Sequence, residues 1–330
     1  MPRPGSPSRS RLSPLPVRLC GNCLYATLLI PLGIGLAAWP VVAHEDGPGG
    51  AQELQPGETQ FTPVITLEAH GDLQNNLEGN PRHYAIDGLF GGVWEWGLPN
   101  HGSFAIEASF GPALVWGEAE HFYGRVELEE SQSPTVLGGG ESEGGGGAPF
   151  RRTDVKGELE VRYQPNERLA FNLSWLPYWV TRTQGEDQAG LKHELNLGAT
   201  WAFARGVLDF AVEDDLEDVP NGFFLSVQNR TGWETDGTYL GNYTDPWMGV
   251  GFNLKKLNVS LSAGPRFYAP GSYSGLSFRT DWGGELALAY PISSTVELFA
   301  HWSPIYSTQG GEGWGVGWQH HIGSGVTFRF

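Results

Sequence analysis

Cysteine is almost missing from this sequence. Its two copies, Cys20 and Cys23, both lie near the N-terminus, so everything downstream must do without disulfides and without thiolate metal ligands. Basic residues are scarce too: 20 Lys and Arg stand against 37 Asp and Glu, a net charge of −17. That balance lacks the footprint needed to neutralise phosphates and excludes nucleic acid as a partner. Charged residues of both signs make up only 17%, and the mean hydropathy of −0.27 excludes a multi-helix membrane protein. Proline is modest at 23 and no Gly-x-y period occurs, which excludes collagen. What is abundant is glycine, 48 residues, and tryptophan, 13 residues. Bulky rings argue against disorder, and the composition fits a Gly- and aromatic-rich β protein.

The N-terminus reads as an export signal. Arg3, Arg9, Arg11 and Arg18 form a basic region without acids, and an apolar run follows over 24–36. Val41-Val42-Ala43 then supplies the short residues of a cleavage site, with His44 as the mature N-terminus. An uncleaved anchor is the alternative, but Pro31 and Pro40 interrupt the run. Both cysteines precede that run, which argues against a lipid anchor on cysteine. Cleavage after Ala43 removes four arginines and both cysteines, leaving 16 basic against 37 acidic residues, net −21. The expected organisation is a signal peptide at 1–43, a flexible Gly-, Pro- and acid-rich periplasmic arm at 44–59, and one β domain at 60–330.

Period-2 alternation dominates that domain. Over 154–163, Val155, Leu159, Val161 and Tyr163 share one face while Lys156, Glu158, Glu160 and Arg162 share the other. Reading on in this way predicts strands near 60–70, 83–96, 103–117, 154–164, 169–182, 191–203, 207–215, 245–254, 257–267, 279–290, 295–304 and 313–330. The span 216–244 reads as a long loop, although Phe223 to Gln228 is strand-like. Short turns, at 97–102, 165–168, 204–206, 255–256 and 291–294, alternate with longer loops, as in membrane barrels. A soluble sandwich shows the same alternation. Against it stand Tyr84, Trp94, Trp96, Trp116, Tyr163, Trp175, Trp201, Trp282, Tyr290 and Trp302, which recur at the ends of apolar faces, where interfacial girdles sit. An even strand number also closes without an edge.

The chain ends Gly325-Val-Thr-Phe-Arg-Phe330, an alternating strand with Val326, Phe328 and Phe330 on one face. This resembles the C-terminal assembly signal of Gram-negative outer-membrane β-barrels of the porin-like kind. The resemblance implies an all-β fold, an antiparallel transmembrane β-barrel of about 12 strands with short periplasmic turns and long extracellular loops. It also implies a bacterial outer-membrane location, with barrel-assembly machinery, outer-membrane lipids and lipopolysaccharide as partners.

In such a barrel the inward face is acidic. Glu68, Asp87, Glu95, Glu107, Asp154, Glu158, Glu160, Glu194, Asp209, Glu213, Asp281, Glu285 and Glu297 outnumber Lys156, Arg162, Lys192, Arg266, Arg279 and Arg329. Some of these charges brace the lumen by pairing. The excess of acids predicts a pore lining that prefers cations, for passive diffusion of small solutes. The acidic, Gly-rich span 118–153 reads as a solvated loop.

Metal and enzyme readings are weaker. His44, Glu120 and His121 are the candidate ligands, but no two histidines are spaced as on a zinc helix, so no preformed site is expected. His301 and Ser303 resemble the His-x-Ser pair of outer-membrane lipid hydrolases, in which His activates Ser for acyl transfer. Here Ala300 and Trp302, not the pair, take the apolar phase, and Pro304 stands where that family has Asn. No phosphate loop, dinucleotide fingerprint or nucleophile elbow is present, so no cofactor is expected. The structural reading without an open pore is the remaining alternative.

Overall fold

The computed structural model describes residues 54–74, 82–117, 151–181, 189–212, 216–269, 278–309 and 316–330. The expected signal peptide at 1–43, most of the arm at 44–59, and most of the span 118–153 lie outside the described residues, as do Glu120, His121, Glu213 and His44.

The described chain is all antiparallel strand: β1 (Thr59–Gln74), β2 (Arg82–Leu98), β3 (Gly102–Gly117), β4 (Arg151–Asn166), β5 (Leu169–Val180), β6 (Gly190–Ala202), β7 (Val207–Val212), β8 (Leu216–Trp233), β9 (Tyr239–Leu254), β10 (Leu257–Ala269), β11 (Arg279–Ser293), β12 (Val296–Ser307) and β13 (Gly317–Arg329). Twelve of them close on themselves. The wall runs from β6 back to β1, across to β13, and down to β8, which pairs with β6. The joint between first and last strands is long, from Val64 opposite Arg329 to Gln74 opposite Gln319. Phe330 N–H also donates to Pro63 C=O at 3.1 Å, so the C-terminus is tied into the wall.

Polarity is reversed relative to a soluble domain. Arg162, Asp154 and Asp281 are fully buried, while Phe110 is 68% exposed. Leu197, Trp282 and Met248 are exposed in the same way, on the outward phase of their strands. A sandwich would bury the apolar phase, so this pattern decides for a barrel whose outside meets hydrocarbon. Aromatic rings edge the apolar band. Phe61 packs on Trp94, Trp96 on Phe104, and Tyr163 on Phe171 near the tight turns; Tyr306 packs on Trp318 towards the other end. From Trp94 to Tyr84 the strand advances about 33 Å at about 3.3 Å per residue. A tilt of about 40° reduces that to about 25 Å, the height of an outer-membrane apolar band.

One stretch departs from the sequence pattern. Alternation predicts a wall strand over 207–215 and a loop over 216–244, yet the structure exchanges their roles. β7 pairs only with the first part of β8, from Val207 opposite Asn221 to Val212 opposite Leu216. The remainder of β8, from Gly222 on, is wall: it pairs with β9 and, from Phe224, with β6. Length explains the exchange. β7 reaches about 20 Å, too short to cross a tilted band, whereas Phe223–Trp233 reaches about 36 Å. The count of twelve survives with one member replaced. Two connections change with it: 204–206 is no wall turn, and β8 meets β9 through a short turn, closed by Glu234 N–H to Thr238 C=O at 2.8 Å and Gly237 N–H to Glu234 C=O at 2.9 Å.

The β7–β8 hairpin folds inward at the tight-turn end. Arg162 on the inward face of β4 donates from Nε to Asp218 Oδ1 at 2.9 Å, and Gln164 Nε2 donates to Leu208 C=O at 2.9 Å. Leu216 is buried in a cluster with Val64, Val93 and Ala105 from β1, β2 and β3, and Leu208 with Ala170 and Ala202. The passage from lumen to wall is made at Gly222, with φ of +107°, where a Cβ would lie 2.7 Å from Gly206 Cα.

Candidate functional site: the charged lumen

Because side chains alternate, one phase of every wall strand points into the barrel. Arg152, Lys156 and Arg162 on β4, Lys192 on β6, Arg230 on β8, Arg266 on β10, Arg279 on β11 and Arg329 on β13 are the inward bases among the described wall residues. Each holds a carboxylate of its own. Asp154 lies 2.5 Å from Arg152, Asp87 3.2 Å from Lys156, and Asp218 2.9 Å from Arg162. Glu234 lies 3.2 Å from Lys192, Glu194 3.5 Å from Arg230, and Asp245 2.5 Å from Arg266. Asp281 lies 3.0 Å from Arg279 and Glu297 3.3 Å from Arg329. Further inward carboxylates, Glu68, Asp72, Glu95, Glu107, Glu158, Glu160 and Glu285, come in addition to these eight pairings. Arg266 also lies over the rings of Tyr243, at 4.0 Å, and Trp247, and Arg279 over Tyr268. Those contacts hold two guanidinium groups flat against the wall, where they obstruct the lumen least.

A cavity of about 570 Å³ occupies the lumen beside the hairpin, from Thr200, Phe224 and Ser260 towards the loop ends. Leu216, Asp218 and Pro220 of the hairpin border it. Asp72, His321 and Tyr268, further towards the loop ends, also line it. Buried Glu107, Glu160 and Arg162 lie at the level of the hairpin and do not line it.

The structure places the residues singled out in the sequence as follows. Glu68, Asp87, Glu107, Lys156, Glu158, Glu160, Arg162, Lys192, Glu194, Arg266, Asp281, Glu285 and Glu297 sit on the inward phase of wall strands. Asp209 is different: it belongs to the inserted hairpin, and its backbone carbonyl accepts from Arg162 at 3.4 Å. Val326 and Phe328 lie on the outward phase beside Leu67 and Ile65, and Phe330 is 71% exposed. His301 and Ser303 both line the cavity, with Ala300 and Trp302 outward, so the pair is turned away from the lipid side. The His301 ring stacks on His321 at 5.1 Å, and its Nε2 faces Glu68 at 3.7 Å.

Sequence reasoning missed Arg152, Arg230, Asp72, Asp245, His70 and His321 as inward groups. Phase could have found four of them: Asp72 and His70 continue the face of Glu68, and Asp245 and Arg230 alternate with outward residues. Their partners lie too far away in sequence for any spacing rule.

The family model described as "Cyanophage outer membrane protein like beta barrel domain" matches residues 216–330, from the start of β8 to the end of β13. Among solved structures, an outer-membrane channel from Pseudomonas putida F1 covers 87% of this chain and 100% of its own, at 9% identity and a TM-score of 0.45. The NanC porin covers 80% and 100%, at 9% identity and 0.39. The translocator domain of the autotransporter NalP from Neisseria meningitidis covers 84% and 90%, at 11% identity and 0.38. No curated protein sequence matches the chain.

Proposed function

We propose that this closed twelve-strand barrel, whose second half matches an outer-membrane barrel family model, acts in the bacterial outer membrane as a porin-like, passive, cation-preferring channel for small solutes. One observation carries the reading: every inward base among the described wall residues is held by its own carboxylate, and further carboxylates remain on the same face. A lumen of that composition holds negative potential between low-dielectric walls and enriches cations. The hairpin narrows the tight-turn end, which faces the periplasm in this class of barrel, so it limits the conductance. Val326, Phe328 and Phe330 serve as the signal read by barrel-assembly machinery, and the outward apolar band contacts outer-membrane lipid and lipopolysaccharide.

The test is reversal potential in a planar bilayer under a KCl gradient. Cation preference at low salt is the expected sign, and replacing Glu158, Glu194 and Glu285 together by Gln should reduce it. Removing 207–221 should raise the single-channel conductance. Anion preference at low salt would reject the acidic-lumen reading, and absence of conductance even without the hairpin would reject the channel.

A further inference from the structure

Closure of β1 on β13 brings His70 of β1 next to His301 of β12 and His321 of β13. In β1, Glu68 and His70 share the inward face, and Glu68 stands directly opposite Asp87 of β2. His70 Nε2 lies 3.3 Å from Asp87 Oδ2. One ligand atom from each of Glu68, His70 and Asp87 falls within 4.8 Å of the other two. On the other side of His70, β13 contributes Gly323, and beyond it β12 contributes His301. The glycine is required there. A Cβ at Gly323 would lie 2.3 Å from His301 Nε2 and 2.6 Å from Glu68 Oε1. Its lack of a side chain opens a window across β13 through which the imidazole of one neighbour meets the carboxylate of the other, at 3.7 Å. His321 completes the group, 5.5 Å from the His70 ring and 5.1 Å from the His301 ring. Its Nδ1 lies 2.8 Å from Asp72 Oδ1.

We propose that Glu68, His70 and Asp87 bind one divalent transition-metal ion of the zinc class inside the lumen, with His301 and His321 as flanking imidazoles. Mixed imidazole and carboxylate donors suit this class; calcium and magnesium take oxygen sets. One donor pair already has the spacing an ion requires, and Glu68 lies within 4.8 Å of both. Metal–nitrogen and metal–oxygen bonds of about 2.1 Å in a tetrahedron put neighbouring donors about 3.4 Å apart, close to the His70–Asp87 separation. Asp87 is 3% exposed, and its Oδ1 is buried without a hydrogen-bond partner. The Asp72–His321 contact is the carboxylate–imidazole arrangement that orients metal-binding histidines. Lys156 Nζ, 3.2 Å from Asp87 and 4.0 Å from Glu68, supplies positive charge to the same carboxylates. A metal ion takes its place, and the ammonium competes. The site opens on the 570 Å³ cavity, so an ion reaches it through the lumen.

The test is calorimetric titration of the folded mature barrel in detergent with zinc chloride, which requires no conducting pore and therefore stands or falls apart from the channel reading. One equivalent should bind. His70→Ala and the near-isosteric Asp87→Asn should each weaken it at least tenfold, and Lys156→Met should tighten it, a change that a purely structural ion-pair cluster would not produce. His193→Ala and His320→Ala, on the outward phase, should leave it unchanged. Circular dichroism checks that each variant retains its strands; if His70→Ala does not fold, Asp87→Asn decides. No zinc binding by the unaltered barrel, or binding that survives Asp87→Asn at full strength, would overturn the proposal.

Discussion

Leu159 and Glu158 are neighbours in the chain and opposites in environment: the leucine is 42% exposed on the outside of β4, and the glutamate is buried inside. Arginine at 159 should therefore cost about 2–4 kcal/mol of folding free energy if the site lies near the bilayer midplane, measured by denaturant titration in lipid vesicles, whereas Glu158→Gln should act mainly on selectivity. Gly323 is a different case. Ala there puts a methyl against His301 and Glu68, and overpacking of this kind costs about 1–3 kcal/mol; the same titration should register it. Which face each residue takes was legible in the sequence, because period 2 leaves only two choices and the charges mark one of them. The histidine group was not. Asp72 and His321 are 249 positions apart, and only closure of β1 on β13 makes them neighbours.

At the scale of elements, β7 and β8 hold the main lesson. Their alternation was readable, and so was the strand-like character of Phe223 to Gln228. What alternation cannot report is whether the charged phase looks into a lumen from the wall or packs within it as an insert. Strand length did not decide from sequence either, since the alternating run 207–215 is nearly as long as the wall strand 245–254; only the structure shows β7 ending at Val212. Pro220-Asn221-Gly222 falls in the span that reads as a long loop, yet it marks the place where one strand leaves the lumen and joins the wall. Arg162 anchors the insert through Asp218. Arg162→Ala deletes the cation and leaves Asp218 facing a buried gap, a loss of about 3 kcal/mol for a well-buried pair. The hairpin, rather than the wall, should loosen. Limited proteolysis of reconstituted barrels should then cut within 203–221 while the wall strands stay protected.

The molecule as a whole is a closed sheet with its charge inside, and its response to salt follows from that. Cation preference should decline between 0.1 M and 1 M KCl, as the Debye length falls from about 10 Å to about 3 Å; a preference unchanged over that range would point to binding at discrete sites instead. Deleting Phe330 should reduce assembly, read as loss of the heat-resistant folded band from outer-membrane fractions. The inserted hairpin has one more property, which arises from how it is attached. It leaves the wall after Ala202 and rejoins it at Gly222, two residues before Phe224, which stands opposite Ala202. Such an occupant is never diluted. A short tether maintains a local concentration on the order of millimolar, whatever the abundance of the protein. The fraction of barrels with a filled mouth is therefore the same in a cell carrying a few copies as in one crowded with them, and a soluble competitor must exceed that local concentration to take the hairpin's place.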